Sequence, residues 1–186
     1  RLAAEKNLPA VLAAYEKAGP AKLVLVGDGP MRHELQARYP GVVFAGTRSG
    51  EDLAAHYASG DVFLFPSLTE TWGNVTLEAM ASGLAVVAFD YAAAAEVLRH
   101  GASGLLVPFG NDEDFVKQAA SLATDAARVR RLGEAARVEA AGRGWDCVVR
   151  ELEAVLFAAS GSGRAALERG APGRASNAEA AVHQVA

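Results

Sequence analysis

Residues 23–107 alternate short, unbroken apolar runs with amphipathic stretches, and this alternation leaves few folds open. The runs are Leu23–Val26, Val42–Ala45, Val62–Phe65, Ala85–Phe89 and Leu105–Val107. They are rich in β-branched and aromatic residues and show no polar alternation, as expected of strands covered on both faces. Between them the pattern predicts helices over Met31–Arg38, Glu51–Ala58 and Asn74–Ser82, and a short one near Ala94–Arg99. Strand–helix alternation implies an α/β fold, a Rossmann-like doubly wound parallel sheet.

A helix precedes the first run: Asn7 is placed to cap it, Pro9 suits its first turn, and Gly19 can end it. After the sheet, Asn111 followed three residues later by Asp114 reads as a cap pair. Leu122, Val129 and Leu132 carry an apolar face into a second helix ending near Gly142. A further helix, Trp145–Phe157, puts Trp145, Val148, Val149, Leu152 and Leu156 on one stripe. The organisation expected is one domain over 1–158 and a tail over 159–186, dominated by Gly, Ser, Ala and Arg and too poor in large apolar residues to fold alone. At 51% hydrophobic, the 186 residues can bury a sizeable core. The net charge of −4 offers no general attraction to nucleic acid or anionic lipid. One cysteine, Cys147, excludes an intrachain disulfide and suits a reducing compartment. No apolar run is long enough to span a bilayer, and no secretory signal is visible. The expected location is therefore cytoplasmic. The opening at Arg1, without an initiator methionine, reads as a fragment.

Ligands of open α/β sheets sit outside the carboxyl ends of the strands. Three polar or glycine-rich loops fall there: Gly27-Asp28-Gly29-Pro30, Gly46-Thr47-Arg48-Ser49 and Pro66–Gly73. The last leads into Glu70-Thr-Trp-Gly-Asn-Val-Thr-Leu-Glu78. Here a loop carboxylate is followed by Gly73, a helix start at Asn74, and a second carboxylate one turn into the helix. Free N–H groups at a helix start receive phosphate. Carboxylates accept hydrogen bonds from sugar hydroxyls. Singly, Glu70 and Glu78 read as solvated acids; together they outline a pocket for a ligand part phosphate and part carbohydrate. If each acid faces a hydroxyl-bearing ring, with the phosphates between, the layout is that of a nucleotide sugar.

A diphosphate also needs cations, and Arg1 and Lys6 stand at the start of the first helix. Arg48 reads equally as a flank for a nucleotide base or as a solvated loop residue. Arg32 occupies the third glycine position of a Gly-x-Gly-x-x-Gly pattern, so the Gly27 loop reads as a tight turn and an NAD-dependent dehydrogenase is disfavoured. His33, His56, His100 and His183 lack metal-ligand spacing, and no metal is expected.

The ordered set of motifs resembles the C-terminal, donor-binding half of a family 4 glycosyltransferase with the two-domain GT-B fold. The resemblance runs from Arg1-Leu-Ala-Ala-Glu-Lys6-Asn7 through Val26-Gly-Asp-Gly-Pro30 and Asp61-Val-Phe-Leu-Phe-Pro-Ser67. It continues over Glu70-x7-Glu78-Ala-Met-Ala-Ser-Gly83 and Glu96-x4-Gly101-x2-Gly104-Leu-Leu-Val107, covering residues 1–158. It implies that Arg1 and Lys6 hold the donor diphosphate, Glu70 the hexose hydroxyls and Glu78 the ribose. Backbone N–H groups of Trp72, Gly73, Asn74 and Val75 would meet hexose and phosphates, and Arg48 would approach the base. The implied reaction moves a glucosyl or mannosyl group from a UDP- or GDP-sugar to an acceptor hydroxyl with retention, without metal or other cofactor. The leaving diphosphate would help deprotonate the acceptor. Partners implied are the chain's own N-terminal domain and an acceptor glycan, lipid or small molecule. That domain would allow peripheral contact with the inner face of a membrane. Tyr91-Ala-Ala-Ala-Ala-Glu96 departs from the family's glycine-bearing turn, so Glu96 is given no role. Alternatives of other kinds are a sugar-nucleotide epimerase and a non-catalytic nucleotide-sugar-binding module.

Overall fold

The computed structural model describes residues 1–70 and 73–159. The chain divides into two compact units, Arg1–Gly144 and a second that begins at Trp145. In the first unit the strands are β1 (Val24–Val26), β2 (Val43–Gly46), β3 (Val62–Phe65), β4 (Ala85–Phe89) and β5 (Leu105–Val107). The helices are α1 (Leu8–Ala18), α2 (Arg32–Arg38), α3 (Gly50–Ala58), α4 (Asn74–Ala81), α5 (Ala92–Val97), α6 (Asp112–Leu122) and α7 (Ala126–Ala141). A 3-10 turn, Ala4–Lys6, precedes α1.

All strand pairs are parallel: β1 with β2, and β4 between β3 and β5. The single sheet expected from the sequence is instead two hydrogen-bonded ladders among the described residues. β1 has only three residues. Continuity from β1 to β3 is carried by packing, since Leu64 of β3 touches both the cluster around Leu25 and the cluster around Phe89.

β4 explains why its sequence shows no alternation, for all five of its residues are buried. Ala85, Val87 and Phe89 pack with Ala10 and Ala14 of α1, Phe115, Ala119 and Leu122 of α6, and Leu132 of α7. Val86 and Ala88 point the other way, onto Ala79 and Met80 of α4, Ala94 and Val97 of α5, and Ala136 of α7. Successive residues of a strand face opposite sides, so a strand covered twice must be apolar throughout. Each large side chain fully buried here contributes about 1.5–3 kcal/mol.

Helix ends follow the sequence in some places and depart in others. Asn111 Oδ1 accepts from Asp114 N at 3.1 Å, and Asp125 caps α7 the same way through Arg128 N at 2.9 Å. Asn7 stands at the start of α1 but makes no side-chain cap. Its Nδ2 donates instead to Asp112 Oδ1 of α6 at 2.7 Å, a tertiary partner that outcompetes the local one. α5 begins at Ala92 rather than Ala94, because the turn after β4 starts the helix directly.

The second unit's described part is α8, Trp145–Ala159. Val149, Leu152 and Leu156 of its expected stripe are exposed. Cys147 is a half-buried free thiol whose Sγ lies 3.6 Å from Glu151 Oε1. Apart from Ala159, the expected tail over 159–186 lies outside the described residues, as does Trp72. Among the described residues no helix is long and apolar enough to cross a membrane.

α7 approaches the turn after α4 through Gly133. A Cβ there would lie 2.1 Å from the Gly83 carbonyl oxygen and 3.0 Å from its carbon, both backbone atoms. Gly133→Ala favours an isolated helix by about 1 kcal/mol. The steric cost should dominate, with a net loss of about 1–3 kcal/mol in urea unfolding. Unchanged or raised stability would show that α7 does not seat on Gly83.

Candidate functional site

The first six residues lie across the carboxyl ends of the strands. Leu2 N donates to Asp28 O at 2.8 Å and Leu2 O accepts from Met31 N at 3.1 Å, fixing the segment to the loop after β1. Leu68 N donates to Glu5 O at 2.8 Å, fixing it to the loop after β3. β1 pairs only with β2 and β3 only with β4 among the described residues, so the segment sits where the winding direction changes. Such a switch point is the usual ligand position in open α/β sheets.

Lys6 projects from this segment onto Glu70, and its Nζ forms an ion pair with Glu70 Oε1. Lys6 Nζ also stands 5.3 Å above the Phe65 ring, a cation–π contact that holds the ammonium over the end of β3. Ser67 Oγ lies 3.2 Å from Glu70 Oε1 and 3.4 Å from Lys6 Nζ. Both charged side chains are half-buried, at 25% and 15% exposure, so the pair is shielded yet reachable.

Gly73 makes room for this carboxylate. A Cβ at position 73 would lie 2.6 Å from Glu70 Oε2. Gly73 has φ −89°, so space rather than backbone conformation demands glycine. Gly73 then opens α4, which has no side-chain cap and no acid in its first turn. Among the described residues no side chain accepts from its leading N–H groups, those of Asn74 and Val75 onward.

One hollow is lined by Glu70, Gly73, Ser67 and Tyr91, and a second by Lys6, Thr69, Glu70 and Tyr91. Glu78 lines neither. It is exposed on α4, and Tyr57 Oη of α3 donates to its Oε2 at 3.0 Å. The two acids of the sequence motif thus have separate surroundings, with Oε1 of Glu78 left by Tyr57 for another donor. Burial, and then the Glu78 charge, push the Tyr57 phenol well above its usual value.

Arg1 is exposed and pairs with Glu5 at 3.5 Å rather than joining Lys6. Arg48 pairs with Asp52 at 3.0 Å, and its Nη2 donates to Ala45 O at 2.6 Å, pinning it to the end of β2. Gly27 N donates to Gly46 O at 2.8 Å, so the loops after β1 and β2 are tied together. Asp28 is held below its ordinary pKa by the Gly29 N–H and by Arg32, which fits a turn-forming role. Among the described residues no group of His, Cys, Asp and Glu could hold a metal ion.

The sequence did not single out Ser67, Tyr57 or Tyr91. Ser67 precedes Glu70 by three residues in one loop, which was a usable signal. Tyr57 meets Glu78 across a helix pair and leaves no local mark. Tyr91 is exposed and packs at 4.7 Å, ring centroid to centroid, on Phe109.

A family model described as glycosyl transferases group 1 matches residues 1–125. The chain belongs to this family. Its fold is that of a GT-B C-terminal domain, as the resemblance implied. This glycosyltransferase chain is 34% identical to sulfoquinovosyl transferase SQD2 of Arabidopsis thaliana, over 86% of its own length and 32% of that protein's. It is 41% identical to the GDP-mannose-dependent alpha-mannosyltransferase of Mycolicibacterium smegmatis, over 84% of its own length and 42% of the relative's. Among solved structures, Anabaena Alr3699/HepE in complex with UDP-glucose superposes with a TM-score of 0.70 at 25% identity. That match covers 86% of this chain and 47% of the other. The chain therefore spans less than half the length of each of these three proteins.

The raised Tyr57 pKa gives a direct check. Folding favours the neutral phenol, so its contribution is complete below the unfolded value near 10 and is lost as pH rises through the higher folded value. In an absorbance titration one tyrosine should ionise after the others, and Tyr57→Phe should remove that late step. Separately, Gly73→Ala should displace the Glu70 carboxylate while leaving thermal stability nearly intact. A crystal structure of the variant with Glu70 still against Lys6 and Ser67 would refute the steric account.

Proposed function

We propose that the chain is the donor-binding half of a retaining hexosyltransferase that uses a UDP- or GDP-sugar. The observation that carries this reading is the Lys6–Glu70 pair beside the uncapped start of α4. A cation, a carboxylate and free helical N–H groups converge at the switch point of the sheet. Relatives support the donor class: two are named for GDP-mannose dependence or sulfoquinovosyl transfer, and one structural neighbour holds UDP-glucose.

In this reading Lys6 and Arg1 neutralise the diphosphate, and backbone N–H groups of Trp72, Gly73, Asn74 and Val75 meet phosphate and hexose. Glu70 accepts from hexose hydroxyls and stabilises charge as the glycosidic bond breaks, without becoming a covalent nucleophile. Glu78, oriented by Tyr57, receives a ribose hydroxyl on Oε1. Arg48, held at the end of β2, flanks the base. The acceptor site belongs to the other half of a two-domain enzyme. There the acceptor hydroxyl attacks the anomeric carbon, the diphosphate leaves with the bonding electrons, and a diphosphate oxygen takes the acceptor's proton.

Calorimetry with UDP, UDP-glucose, GDP and GDP-mannose tests the binding half. Binding should be seen for one nucleotide class, and Lys6→Ala should weaken it by about tenfold, the loss of one charge-assisted contact. Glu78→Ala should weaken it similarly with an unchanged melting temperature. Affinity indifferent to both substitutions would remove these residues from the site. In a two-domain parent, Glu70→Ala should abolish turnover while nucleotide binding persists.

A further inference from the structure

Ser67 is 4% exposed, and its hydroxyl is placed against more partners than it can serve at once. Its Oγ is 3.2 Å from Glu70 Oε1, 3.3 Å from Thr69 O, 3.4 Å from Glu5 O and 3.4 Å from Lys6 Nζ. A hydroxyl has one proton to give and lone pairs to receive. An ammonium only donates, so toward Lys6 the hydroxyl accepts. Its single proton is then shared among two backbone carbonyls and one carboxylate. In the structure Glu70 Oε1 already receives Lys6, so it has no exclusive need of that proton.

The balance changes when a diphosphate draws on Lys6. The ammonium is shared with, or surrendered to, the phosphate oxygens, and Glu70 loses its cation inside a shielded site. A carboxylate left there without a donor pays its desolvation. Among the described residues the neutral side-chain donor within reach of Oε1 is Ser67, and an O–H bond to an ionised oxygen is a strong one. We propose that Ser67 is a positioning residue that holds Glu70 for the hexose when Lys6 passes to the donor diphosphate. The hydroxyl turns from the carbonyls of Glu5 and Thr69 onto Oε1 as the ammonium withdraws. Phosphate capture and hexose recognition are thereby coupled through one rotatable proton. This rests on the donor-binding reading above.

The test uses this chain and calorimetry with UDP and UDP-glucose, or with GDP and GDP-mannose, whichever pair the wild type binds. The ratio of the two Kd values isolates the hexose's share. Ser67→Ala should shift that ratio against the nucleotide sugar by about tenfold, the scale of a hydrogen bond to a charged group. Binding of the bare nucleotide should stay within about twofold, since without a hexose the hollow holds water, which can donate to Glu70 in place of Ser67. Ser67→Cys, nearly equal in volume but a weak donor, should behave like Ser67→Ala, and Ser67→Thr should restore the wild-type ratio. On a Glu70→Ala background, Ser67→Ala should have no further effect on the ratio, because Ser67 acts through Glu70. An unchanged ratio overturns the inference, as does an equal loss for both ligands or full additivity in the double variant. If the wild type binds none of the four ligands, the donor reading itself fails and takes this inference with it.

Discussion

Three backbone hydrogen bonds, Leu2 to Asp28, Met31 to Leu2 and Leu68 to Glu5, seat residues 2–5 over the strand ends. The candidate site depends on that seat. Without it Lys6 would be a mobile surface charge, worth little to a carboxylate in water. With it the ammonium is held above Phe65 and against Glu70 in a place that solvent only partly reaches. The cost of fixing a long side chain has then been met during folding rather than on ligand arrival.

The sheet beneath supplies the rigidity. β4 is buried on both faces, and helices from opposite sides pack on alternate residues of it. Its carboxyl end delivers Tyr91 to the hollow that Glu70 and Lys6 share. Just beyond, Ala92 adopts φ 48°, a conformation that costs a non-glycine residue about 1–2 kcal/mol. The family resemblance expects glycine at this turn. The backbone therefore keeps the turn's shape although the residue suited to it has been replaced.

Much of the fold was legible because covered strands leave an unbroken apolar signature. Val62–Phe65, Ala85–Phe89 and Leu105–Val107 were read with the bounds the structure gives them. The same signature says nothing about strand-to-strand bonding, so the gap between the two ladders was invisible. Asn7 was misread because capping rules see only neighbours in sequence, whereas its partner Asp112 is brought by tertiary packing. The Glu70–Gly73 relation was half legible: glycine was read as permitting close approach to a ligand, and the structure adds that it clears space for Glu70 itself. The pairing of Glu78 with Tyr57 has no local trace. The common hollow imagined for both acids gives way to two neighbouring environments, one shielded and one open.

The displaced cap at Asn7 carries a consequence for the whole arrangement. Asn7 is buried, follows Lys6 directly, and is bolted to the first turn of α6 through Asp112. α6 lines neither hollow, yet it indexes the height and heading of the ammonium one residue away. A drift of that helix would be felt at the Lys6 ammonium before any other lining side chain moved. Charge placement at this site is thus governed partly from behind the sheet, by an element that never meets what it helps to hold.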